Sequence, residues 1–109
     1  MIKITIYQNH TGQYVRLRCV GHAGFARAGE DIVCAGVSTL VINTLNAIDR
    51  LTEEIFEAET DQESGLIDAV FQRPVGHDGK LLLDTMVLGL QDIQKQYGTK
   101  YSLLTFKEV

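Results

Sequence analysis

Between Gly21 and Ser38 the chain reads GHAGFARAGEDIVCAGVS, which sets an imidazole, His22, and a thiol, Cys34, on either side of a glycine-bearing loop. These residue types do nucleophilic and proton-transfer chemistry. The thiolate is the reactive form, and a helix N-terminus or a neighbouring imidazolium lowers a cysteine pKa from about 8.5 to between roughly 3.5 and 7.5. Cys34 falls in the first turn of an apolar-periodic segment and His22 in the loop before it, so both devices are at hand. The plainer readings are a buried helix cysteine and a solvated loop histidine. His10 lies in a turn, and His77, beside Gly76, precedes a second helix without a cysteine; both read as surface residues. A metal held by His22, Cys34 and a further ligand is weakly supported, because no paired Cys or His spacing typical of zinc occurs. No cofactor or metal is expected.

The elements that must position this pair follow from periodicity. Ile2, Ile4 and Ile6 alternate with Lys3, Thr5 and Tyr7, as in a strand with one buried face. After the turn residues Asn9 to Gly12, Val15, Leu17 and Cys19 alternate with Arg16 and Arg18, so a second strand returns as a hairpin. From Asp31 the period becomes helical, with Val33, Val37, Leu40, Val41, Leu45, Ile48 and Leu51 in one stripe. Cys34 lies at the edge of that stripe and Ser38 one turn further along the same side. Asp31 suits the N-cap, with orientation of the imidazole as its alternative role. A second hairpin is expected over Glu54–Thr60 and Leu66–Phe71. It is followed by a helix capped by Asp78 that presents Leu82, Met86, Leu90, Ile93 and Tyr97, and by a strand over Tyr101–Phe106. Hairpin, helix, hairpin, helix, strand predicts an α+β domain of two layers: a mainly antiparallel sheet of about five strands with both helices on one face.

At 109 residues the chain makes one domain, and 45% hydrophobic with 22% charged residues is ordinary for a globular protein. No apolar run approaches the ~20 residues that span a bilayer, and the N-terminus lacks a signal-peptide pattern, so no membrane partner and a cytoplasmic location are expected. A net charge of −4 argues against direct nucleic-acid binding, which needs clustered Lys or Arg, and suits a basic protein partner. The two cysteines, Cys19 and Cys34, are expected as free thiols, Cys19 buried in its strand.

Gly21-His22-Ala23, then Asp31-Ile32-Val33-Cys34-Ala35, then Val37-Ser38 closely resemble the ribosomal-processing cysteine proteases of Bacillota and related bacteria. The order of elements resembles that family from end to end. The one small departure is Gly36, where the family pattern has alanine. The resemblance implies a cysteine endopeptidase with Cys34 as nucleophile and His22 as general base and acid. Ser38, with Asp31 and Gly21, would hold substrate or orient the site. Ala23, Gly24, Phe25 and Gly29 would belong to a mobile loop. The implied substrate is the precursor of large-subunit ribosomal protein twenty-seven, a basic protein with a short N-terminal extension, and the implied assembly a homodimer. A non-enzymatic ribosome-assembly factor using the same acidic surface is the competing reading.

Overall fold

The computed structural model describes residues 1–27 and 30–109. Strands β1 (Ile2–Gln8) and β2 (Tyr14–Val20) form the first hairpin. Its turn is closed by the Asn9 side chain, which accepts from the N–H groups of Thr11 and Gln13. The register slips between Tyr7 and Gln8, so Gln8 pairs with Tyr14 rather than Val15. That bulge places Tyr14 in the core where the alternation predicts Val15, and the Tyr14 hydroxyl donates to Asp84.

Helix α1 (Ile32–Leu51) buries Val33, Val37, Val41, Leu45 and Ile48, while Leu51, expected in the same stripe, is 75% exposed at the helix end. By length and composition alone, α1 is apolar enough to cross a membrane, which corrects the expectation that no segment approaches that length. Its apolar stripe packs instead in the common core with the sheet.

Strands β3 (Phe56–Asp61) and β4 (Leu66–Phe71) make the second hairpin. Helix α2 (His77–Tyr97) starts at Gly76, not at Asp78. Asp78 already lies within its first turn, beside His77, and the cap function falls to Glu54, whose Oε1 accepts the Gly76 N–H at 3.1 Å. The buried stripe of α2 is also rotated from the expected one: Leu83 and Val87 join Met86 and Leu90 inside, and Leu82, Ile93 and Tyr97 sit at the rim.

Strand β5 (Ser102–Glu108) runs parallel to β1, and the sheet order is β3-β4-β2-β1-β5. The sheet is therefore mixed and mostly antiparallel, with β3 and β5 as its edges. Its apolar face shares one core with both helices. Its other face carries Asp68, paired with Arg16 and Arg18. The helices pack on each other through small residues: Gly36 faces Ile93, and a Cβ on Gly89 would fall 2.6 Å from Leu40. The reactive segment thus leaves the middle of the sheet at the end of β2 and enters the core helix α1.

Candidate active site

The chain turns sharply after β2. Gly21 adopts φ +102°, and a Cβ there would lie 2.4 Å from the Met1 carbonyl oxygen, so only glycine fits. Its N–H donates to the Ser64 carbonyl at 2.9 Å. His22 follows, with Nε2 at 2.8 Å from the Glu63 carbonyl oxygen. A carbonyl only accepts, so Nε2 carries the hydrogen and Nδ1 keeps its lone pair. Buried Ala23 donates its N–H to Cys34 Sγ at 3.0 Å. Phe25 donates its N–H to Asp31 Oδ2 at 3.0 Å, and its ring meets Tyr97 and Tyr101 edge-on.

Asp31 is the N-cap of α1: its Oδ1 accepts the N–H groups of Val33 and Cys34, both at 3.0 Å. Burial pushes the Asp31 carboxyl up, yet the N–H groups of Cys34 and Phe25 outweigh it and hold the acid below its ordinary range. The consequence for Cys34 opposes a simple helix-terminus effect. Burial raises its pKa above the ordinary thiol value. The Ala23 N–H works against that rise, and the Asp31 charge adds to it. Cys34 rests as a thiol that needs a proton acceptor. The Val33 and Cys34 N–H groups are engaged by the cap; the N–H directed at the sulfur is that of Ala23.

His22, Cys34 and Ser38 line one cleft of about 430 Å³, together with Gly21 and Cys19. A neighbouring cavity against the same three side chains is bounded by Gly24, Ala26 and Asp31. Ser38 is exposed to both. Phe25 does not line either cavity and anchors the loop on α2 and the approach to β5. Gly29 lies outside the described residues.

Sequence reasoning missed the opposite wall. Thr60, Asp61, Gln62 and Gly65, at the turn of the second hairpin, complete the cleft. The turn itself was visible as Asp61-Gln62-Glu63-Ser64-Gly65. Its place beside His22 depends on the β2–β4 pairing, for which periodicity holds no signal. Beyond the cleft a second depression, sharing Ile42, Thr60 and Ile67, continues between α1 and the edge strand β3.

The model of the family described as Cysteine protease Prp matches residues 1–102. The chain belongs to that family. The ribosomal processing cysteine protease Prp of Staphylococcus aureus is 32% identical over 103 residues, covering 94% of this chain and 97% of the relative. The structure of the S. aureus protease with a covalently linked product peptide superposes with a TM-score of 0.91 at 32% identity, covering 98% of this chain and 100% of that one. The S. aureus protease with a substrate peptide gives 0.86 at 31% identity, over the same shares. Family membership makes the chain a cysteine protease of the ribosomal-processing kind, a hydrolase, and removes the non-enzymatic assembly factor from consideration.

Proposed function

We propose that Cys34 is the nucleophile and His22 its proton carrier, and that the chain removes the N-terminal extension of large-subunit ribosomal protein twenty-seven in the cytoplasm. The observation that carries this reading is the meeting of His22, Cys34 and Ser38 in one cleft. Nδ1 of His22 takes the thiol proton as Sγ bonds to the scissile carbonyl carbon. The imidazolium then gives that proton to the leaving amine as the C–N bond breaks, leaving a thioester. Water, deprotonated by the same nitrogen, attacks the thioester; a carboxylate leaves and the thiol re-forms. The Ala23 N–H, 3.0 Å from Sγ at rest, is released as the sulfur bonds to carbon and is the donor offered to the oxyanion of the tetrahedral intermediate. Ser38, exposed one turn along α1, holds the peptide backbone, and the depression between α1 and β3 accommodates an extended chain.

The acidic surface suits a basic ribosomal precursor, and a homodimer is the assembly that goes with this reading. The test is incubation with the ribosomal precursor and mass measurement of the product. Cys34→Ala removes cleavage and keeps the fold, and Cys34→Ser is nearly inactive because an alkoxide is far harder to form. Full activity in Cys34→Ala overturns the assignment.

A further inference from the structure

We infer that the group orienting His22 is the main-chain carbonyl of Glu63, presented by the β3–β4 turn, so that the site is completed by a turn rather than by another catalytic side chain. This rests on the proposed role of His22 and extends it. The Nε2 to carbonyl distance of 2.8 Å is that of a formed hydrogen bond. It fixes the ring with Nδ1 as the basic nitrogen. Once that nitrogen has accepted the thiol proton, the Nε2–H stays on the carbonyl, so the ring holds one orientation through both proton transfers.

The turn is built to hold that oxygen in place. Asp61 accepts the Glu63 N–H through Oδ1 at 3.3 Å and the Ser64 hydroxyl through Oδ2 at 2.8 Å. Successive carbonyls, of Glu63 and Ser64, then engage successive residues, His22 and Gly21. Gly65 closes the arrangement. It adopts φ +68°, and a Cβ there would lie 2.4 Å from the Gly21 oxygen and 3.3 Å from His22 Cε1, so the turn can sit directly against the ring. Asp31, the obvious carboxylate for an orienting role, has both oxygens committed to backbone N–H groups. Asp61 is therefore a positioning residue that acts through the turn.

Nitrogen-15 NMR of His22 in Cys34→Ala reads the tautomer without needing activity, so it stands even if the nucleophile assignment fails. The expected result is the Nε2–H tautomer. In Cys34→Ala/Asp61→Ala that preference should give way to a mixture of tautomers as the carbonyl is released. In the otherwise native enzyme, Asp61→Ala should lower kcat on the order of tenfold with little change in KM. Asp61→Asn, whose amide oxygen still accepts from the turn, should restore both the tautomer and kcat. An Nδ1–H tautomer overturns the inference. So does an Asp61→Ala protein whose His22 tautomer is unmoved, or one whose loss is confined to KM, since the turn would then only bind substrate.

Discussion

At the scale of single residues, burial and the Asp31 charge together set the resting state of Cys34. The same carboxylate that caps α1 keeps a negative charge beside Cys34, and charge and burial together favour the thiol. Asp31→Asn should separate these roles, because asparagine caps about as well as aspartate. The pH at which Cys34 reacts with iodoacetamide should fall in the variant, and thermal stability should change by less than about 1 kcal/mol. Cys19, whose pKa burial pushes up to about 11, should remain the slower thiol in both proteins. An unchanged alkylation profile would mean that burial alone controls Cys34. The cap and the placing of His22 and Cys34 about one loop–helix junction were legible in the sequence because each is a local pattern: Asp31 immediately before a helical period, Cys34 in its first turn, His22 among glycines. The raised thiol pKa was not, since it comes chiefly from burial, which only the packed fold decides.

Among the elements, the loop after β2 is held at the site by the N–H groups of Ala23 and Phe25 and by the Phe25 ring on Tyr97 and Tyr101, although Phe25 remains 39% exposed. Fixing each backbone residue costs roughly 1–2 kcal/mol of entropy, which these bonds and ring contacts must offset. Amides of Ala23 and Phe25 should therefore be protected from exchange in the free enzyme, and that of Ala23 should lose protection in Cys34→Ala, which removes its acceptor. Fast exchange of both in the native enzyme would mean that the loop opens without substrate. Helix α2 offers a second measurement. Glu54 caps it from outside the helix, so Glu54→Ala should cost about 1 kcal/mol, seen in the denaturation midpoint, although no helical residue is touched. Element types were readable because strand and helix periods differ. The bulge that exchanges Tyr14 for Val15, the rotated stripe of α2 and the start of that helix at Gly76 were not. Each is decided by what the element packs against.

Across the whole molecule, charge governs both stability and encounter. The Arg16 hydrogen bonds hold Asp68 below the ordinary carboxylate range on the open face of the sheet, and Asp31 is depressed at the cap. A depressed acid gives stability that is complete above its unfolded pKa, about 3.9, and that disappears as pH falls through its folded value. Denaturant midpoints should therefore hold near neutrality and drop below about pH 4, with a shallower drop in Asp68→Asn. The net charge of −4 predicts that kcat/KM for the basic precursor falls as salt shortens the Debye length from ~10 Å to ~3 Å. Parallel pairing of β5 with β1 had no counterpart in local pattern, since parallel and antiparallel partners of a single strand read alike in one sequence.

The turn against His22 also bears on how damage by mutation distributes along the chain. Every amino acid has a main-chain carbonyl, so Glu63 can be exchanged for almost anything without removing what it supplies to the imidazole. A saturation scan scored by proteolysis would pass over that position and return only His22 and Cys34 as indispensable reactive groups. Intolerance would surface two residues downstream, at Gly65, and would resemble a folding defect. The part of the catalytic apparatus nearest His22 would thus be invisible to genetics at its own codon, recorded only in the ban on a methyl group beside it.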